Sequence, residues 1–381
     1  RLRRGLTSGS GSRPRVCVPQ RGPPVVTATV TTASRPLRRR HVAAFAALGG
    51  LLLIAVLAAL ALGSVRLSPV EVFDALFRPD EATERALDVV RKVRIQRTIA
   101  AGLSGAALGL CGAQMQTIFR NPLADPFVLG ITGGASFGVA VVVLTAGTGS
   151  SQWIGGLDVA GKVGITVAAF IGAMAVTLVA LAVAHRVRGT ASILVVGLMI
   201  GYLLAALVSL LVAGADPDRL RQFVTWGFGS FRGVTNAELK VMAPVLIVGI
   251  VVSLLSTKTL NALLLGERYA ESMGVAVRRD RLLILLVTSM LAGVVTAFVG
   301  PVAFVGVAAP HLARPLVATS DHRILLPASA LIGAVMALVA DVVAQLPGQR
   351  GVLPLNAVTA LLGVPVVIWV LTRRSRSEVI T

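Results

Sequence analysis

The stretch LLILLVTSMLAGVVTAFVGPVAFVGVAAP, residues 282–310, runs for 29 positions without a charged side chain. As one helix it would extend about 43 Å, too long for a single untilted crossing of a hydrocarbon core about 30 Å thick. Gly300-Pro301 divides it. A glycine followed by a proline ends a helix, so the reading is two spans, 282–299 and a shorter one from 301 to about 316, with Arg314 at the inner end of the second.

Working outward, an ionised group at mid-bilayer costs at least about 2.5 kcal/mol, so the other charge-free stretches read as spans too. They are 42–62, 98–118, 126–146, 163–184, 189–213, 241–257, 324–340 and 352–371. Composition agrees. Of the 381 residues 55 % are hydrophobic and 14 % charged, against about 25 % charged in soluble domains, which excludes a soluble globular enzyme. At about 20 apolar residues per span, the supply suits an all-α polytopic membrane protein with ten transmembrane helices. The mean hydropathy is +0.84.

The 36 Lys and Arg against 17 Asp and Glu give a net charge of +19. In a membrane protein this excess reports orientation before it reports a ligand, and no nucleic-acid partner is expected. With the amino terminus inside, the inner segments hold 23 basic and 6 acidic residues and the outer ones 13 and 11. Both termini are therefore expected in the cytoplasm, with the chain in the plasma (inner) membrane. Residues 1–41 read as a disordered basic tail, with ten arginines and no acidic residue up to Arg40. No methionine precedes Met115, so a start codon assigned too far upstream is the competing explanation. The permease-like domain is expected over 42–372, with a cytoplasmic segment at 258–281 and a tail at 373–381.

Glycines three or four apart, as at Gly102, Gly105, Gly109 and Gly112, suit close helix packing in lipid. Ten spans leave room for two halves offset by five, an inverted repeat, although no self-similarity in the sequence carries that reading. Cys17 and Cys111 make no disulfide framework. Gly156 to Val163 nearly matches a phosphate-binding loop but ends in Val where a hydroxyl is needed, and no strand precedes it. His41, His185, His311 and His322 lack metal-ligand spacing, so neither metal nor cofactor is expected. No span carries a mid-membrane ionisable group, Asp341 closing the ninth at its outer end. A stand-alone secondary carrier or channel needs such groups, so energy is expected from another polypeptide.

The inner segment 258–281 reads as two short helices joined at Gly266, with Leu260, Leu263 and Leu264 on one face, Glu267 opening the second helix and Gly274 stopping it. The spacing Glu267-x-x-Ala270-x-x-x-Gly274 resembles the pattern with which importer permeases dock a helix into their ATPase. With Arg94-Ile-Gln-Arg97-Thr, Gly105-Ala-Ala-Leu, Gln116, Arg120-Asn-Pro-Leu-Ala-Asp-Pro126, Leu260-Asn-Ala-Leu-Leu-Leu-Gly-Glu267, Gly300-Pro-Val-Ala-Phe-Val-Gly306 and Pro310-His-Leu-Ala-Arg314, the chain resembles the FecCD family of ABC importer permeases over 42–374.

That resemblance implies import of an iron chelate, most simply a ferric siderophore, with haem or cobalamin as alternatives. It implies no catalysis in this chain. The expected partners are separate cytosolic ATPases, an extracytoplasmic substrate-binding protein, and a second permease copy or a paralogue. ATPase coupling then falls to Leu260, Leu264, Leu265, Gly266, Glu267, Ala270 and Gly274, and binding-protein docking to Arg94, Arg97 and Arg350. The path and inner gate fall to Gln116, Asn121, Pro122, Leu123, Thr190 and Ser192. Two departures bear on the outer mouth: Val352-Leu-Pro-Leu-Asn356 stands where the family often has Glu-Leu-Pro-x-Gly, and Gln345 stands where it often has Arg.

Overall fold

The computed structural model describes residues 34–63, 65, 67–145, 157–186, 190–345 and 353–378, and among these all regular structure is helical. In chain order the helices are α1 (Ser34–Ala61), α2 (Pro69–Phe77), α3 (Glu84–Leu87), α4 (Ile95–Ile118), α5 (Ile131–Thr145), α6 (Leu157–Arg186), α7 (Thr190–Ala213) and α8 (Pro217–Gly227). They continue as α9 (Asn236–Leu255), α10 (Thr257–Leu264), α11 (Glu267–Ser272), α12 (Val277–Val299), α13 (Val305–Val317), α14 (His322–Ala344) and α15 (Leu355–Glu378). A π-helical stretch, Asp88–Arg94, joins α3 to α4 without a break.

Among the described residues, seven helical segments are long and apolar enough to cross a membrane, lying in α1, α3 through α4, α6, α7, α9, α12 and α14. Two shorter apolar helices, Ile131–Thr145 and Leu355–Trp369, accompany them. The break expected at Gly300-Pro301 is present. α12 ends at Val299, Gly300 takes φ +86°, and α13 resumes at Val305 rather than at Pro301. A Cβ on Gly300 would lie 2.7 Å from the carbonyl oxygen of Trp226.

Helix ends differ from the charge-free limits because charged residues occupy the first and last turns. α9 starts at Asn236, where Thr235 and Glu238 close a capping box, and α1 starts at Ser34, inside the expected tail. Arg40 and His41 donate to the carbonyl oxygens of Pro315 and Val317 at 3.1 Å, capping the C-terminal end of α13.

Helix α4 is the centre of the bundle: 78 % of its apolar window is buried, against 11 % in α7. Backbones approach there because side chains are missing. A Cβ on Gly112 would fall 1.6 Å from the Gly306 oxygen of α13, and one on Gly105 would fall 2.2 Å from the Gly333 oxygen of α14. Segments assigned to one membrane face by charge meet at one end of the bundle. Arg120 and Asn261 bond to Leu263 and Asp321 at one end, while Ser230 N–H donates to Val299 and Arg97 meets Asp341 at the other.

Candidate functional site

At the end carrying α10 and α11, the chain leaves α9, runs eight residues as α10, turns at Gly266 with φ +115°, forms α11 and turns again at Gly274 with φ +83°. Both turns stand where the sequence places them. Leu260 and Leu263 are buried, and Thr259 donates to Asp280 at 3.0 Å. Leu264, however, is 47 % exposed, so the three leucines do not share one face. Leu265 is 64 % and Tyr269 54 % exposed, and Met273 is exposed beside them.

Leu265 and Tyr269, with Arg120, Gly266, Glu267 and Arg268, line a cavity of about 500 Å³. Glu267 opens α11 and pairs with Arg281. Of the residues expected to couple to an ATPase, Leu264, Leu265, Gly266 and Glu267 stand at this surface. Leu260 and Ala270 are fully buried, so they hold the helices from beneath rather than touch a partner.

Beside the cavity lies the turn that follows α4. Arg120 takes φ +47°, a left-handed conformation uncommon outside glycine, and donates to the Leu263 oxygen of α10 at 3.4 Å. Asn121 closes a local turn by accepting from Leu123 N–H at 2.9 Å, and Leu123 is exposed. Buried Asp125 accepts from Phe127 N–H at 2.9 Å. Burial pushes its carboxyl up to about 6, against the lowering effect of that N–H. The contact with α7 falls deeper than the expected gate: a Cβ on Gly197 would lie 2.5 Å from the Val128 oxygen. Ser192 is half-buried in the first turn of α7, and Thr190 begins that helix.

Gln116, expected to line the path, is buried. It accepts from Arg314 Nη1 at 2.6 Å and donates through Nε2 to the Val307 oxygen at 3.3 Å, tying α4 to α13. Sequence reasoning also missed a set of polar side chains around the same end of α4. Gln114 bonds Ser256 at 3.1 Å and Thr288 at 3.1 Å, and Thr117 meets His322 at 2.8 Å. The available signal was a polar residue, Asn261, set between the buried Leu260 and Ala262 of α10.

At the opposite end, Arg94 and Arg97 are not offered to a partner. Each is 2 % exposed. Arg94 donates to the carbonyl oxygens of Leu60, Ala61 and Val65 at 2.6 to 2.7 Å. Arg97 donates to those of Ala59 at 2.7 Å and Leu62 at 3.0 Å. Its Nε lies 2.8 Å from Asp341 Oδ2, as an ion pair rather than an aligned hydrogen bond. Gln345 accepts from Arg97 and donates to Asp341 at 2.8 Å. The last turn of a helix leaves carbonyls without N–H partners, and here two guanidinium groups satisfy those that end α1. Arg350 lies outside the described residues. The departure at Asn356 has a place as well: its Oδ1 accepts from Ala303 N–H at 3.1 Å, and its own N–H donates to the Phe228 oxygen at 3.0 Å, securing the bend before α13.

A family model described as the FecCD transport family matches residues 51–373. The vitamin B12 import system permease proteins BtuC of Salmonella paratyphi A and of Salmonella typhi are each 36 % identical over 345 residues, covering 91 % of this chain and 99 % of theirs. A solved structure described as a metal-chelate type ABC transporter in an inward-facing conformation superposes with a TM-score of 0.74 at 27 % identity, covering 86 % of this chain and 98 % of that one. PsaBC from Streptococcus pneumoniae, solved with a Fab, superposes with a TM-score of 0.53 at 17 % identity, over 74 % of this chain and 93 % of that one, and shares the fold.

Proposed function

The chain belongs to the FecCD transport family of ABC importer permeases, and on that premise we propose that it forms the membrane path through which a bulky metal chelate enters the cytoplasm, driven by ATP hydrolysis on separate subunits. One observation carries the coupling half of this reading: the exposed patch of Leu264, Leu265 and Tyr269 beside the Arg120 cavity. Large apolar side chains standing beyond the membrane are expensive unless a partner covers them. We assign that end to the cytosol and both termini with it, as the basic excess favours. The bundle then crosses ten times, the seven long spans joined by α5, α13 and α15.

The gate is proposed around Asn121, Pro122 and Leu123, with Thr190 and Ser192 opposite, at the cytosolic mouth between this chain and a second permease copy or a paralogue. An external substrate-binding protein is the partner at the other end. Arg94 and Arg97 act on it only by holding the carbonyls of Ala59, Leu60, Ala61, Leu62 and Val65, and Arg350 is the direct contact.

The cargo is proposed to be a ferric siderophore. The 36 % identity to permeases named for vitamin B12 favours a second reading, a corrinoid. Uptake into proteoliposomes containing the permease, its ATPase and its binding protein decides between them. ATP-dependent entry of ferric hydroxamate without entry of cyanocobalamin supports the first, the reverse supports the second, and entry of neither overturns the chelate reading.

A further inference from the structure

Three helices, α4, α10 and α14, meet at the buried imidazole of His322, the first residue of α14. On one side stands Asn261 of α10. Its Oδ1 accepts both the backbone N–H of His322 at 2.8 Å and the ring Nδ1–H at 2.8 Å, while its Nδ2 donates to Asp321 Oδ1 at 2.6 Å. The backbone N–H can only donate and the Asp321 carboxylate can only accept, which fixes the orientation of the amide. Nδ1 therefore carries the ring proton. The bare Nε2 is left to accept from the Thr117 hydroxyl, 2.8 Å away in the last turn of α4. The Ala113 oxygen, 2.9 Å from Thr117 Oγ1, competes with Nε2 for that single hydroxyl proton.

From Thr117 the route divides over short distances. One residue back, Gln116 holds α13 through Arg314, and three residues on, Arg120 returns to the Leu263 oxygen of α10 and sets the turn at Asn121-Pro122. Helix α10 is thus fastened to the end of α4 twice, once by Arg120 and once through the imidazole.

We propose that His322 is a positioning residue for energy coupling, carrying displacement of α10 through the Asn261–His322–Thr117 chain into α4 and the turn that follows it. This rests on α10 and α11 being the ATPase-docking surface. A residue that only stabilised the fold would change the yield of the complex without changing the work done per ATP. A residue that links the two elements changes the coupling itself, and couplings between distant sites typically amount to a factor of about 5 to 150.

The experiment uses the assembled permease and ATPase in proteoliposomes with the binding protein and cargo present. In His322→Phe and in Thr117→Val, which keeps side-chain shape and removes only the hydroxyl, the ATPase is expected to co-purify at the wild-type ratio and to hydrolyse ATP at a rate within about twofold. Cargo carried per ATP is expected to fall about tenfold. A Leu123→Cys label is expected to lose its nucleotide-dependent change in reactivity. His322→Gln, which offers one donor and one acceptor, is expected to restore a measurable part of the transport ratio. A wild-type ratio in both His322→Phe and Thr117→Val overturns the relay while leaving the docking surface intact. Undiminished ATPase retention by Leu265→Asp overturns the docking surface, and with it the route assigned to the relay.

Discussion

Arg97 at one end of the bundle is 2 % exposed and Leu265 at the other is 64 % exposed, an inversion of what side-chain polarity alone would give. The difference lies in the backbone around them. Helix α1 ends beside Arg94 and Arg97 with five carbonyl oxygens that these two guanidinium groups take up, and Asp341 and Gln345 complete the set. Nothing of that kind receives Leu264 or Leu265, because the inward positions of α10 are already filled by Leu260, Ala262 and Leu263. Burial here follows unmet hydrogen-bonding demand, and exposure marks where the chain's own core is complete.

The largest effect is expected where that demand is removed. Arg97→Ala leaves Asp341 buried without its cation and frees two carbonyls, a loss of about 3–5 kcal/mol that thermal unfolding in detergent would register. A melting temperature equal to wild type would mean that the arginine faces a partner after all. Next comes Asp125, whose carboxyl is raised from 3.8 to about 6 by burial. Its folded form binds the proton more tightly than the unfolded chain does, so this group's contribution to stability is fully present below pH 3.8 and is lost as pH rises to about 6, by roughly 3 kcal/mol. Asp125→Asn should flatten the melting-temperature profile across that window; an unchanged slope would assign it to another group.

Leu265→Asp should sharpen the contrast from the other side. Stability is expected to stay within about 0.5 kcal/mol, while retention of the ATPase on a permease column falls roughly tenfold. The smallest effect is Glu267→Gln, which breaks a half-exposed pair with Arg281 and should change melting by under about 1 kcal/mol. A drop as large as that of Arg97→Ala would erase the distinction between the two ends.

What the sequence discloses follows the range of the interaction. Gly266, Gly274 and the Gly300-Pro301 break are decided by their own backbone, so local reading finds them. The membrane stretches are legible because lipid excludes charge at every position of a span; their ends are not, since Glu238 and Asp280 sit in first turns where water or a cap receives them, and Arg40, in the second turn of α1, reaches the Pro315 oxygen at the end of α13. The burial of Arg94 and Arg97 has no local signal, because the carbonyls that bind them lie some thirty residues earlier, as the 34-residue separation from Leu60 shows. The pairing of Asn261 with His322 spans 61 residues and leaves no periodic trace. Gln116 looked like a path residue for the same reason, its partner Arg314 being 198 positions away.

The π-helical stretch Asp88–Arg94 has a mechanical meaning of its own. Each wider turn delays the winding of the chain by about one residue, near 100° of rotation, so it works as a phase shifter between two lengths of one continuous rod. Below it the rod keeps the register that aims Arg97 at Asp341. Before it and in its first turn, Ala86 and Val90 face Val72 and Ala75 of α2 instead, forming a small apolar cap with its own packing. The cap and the membrane bundle are therefore set in different phases on a single shaft, and Arg94, the last residue of the π-helical stretch, ties that shaft to the end of α1.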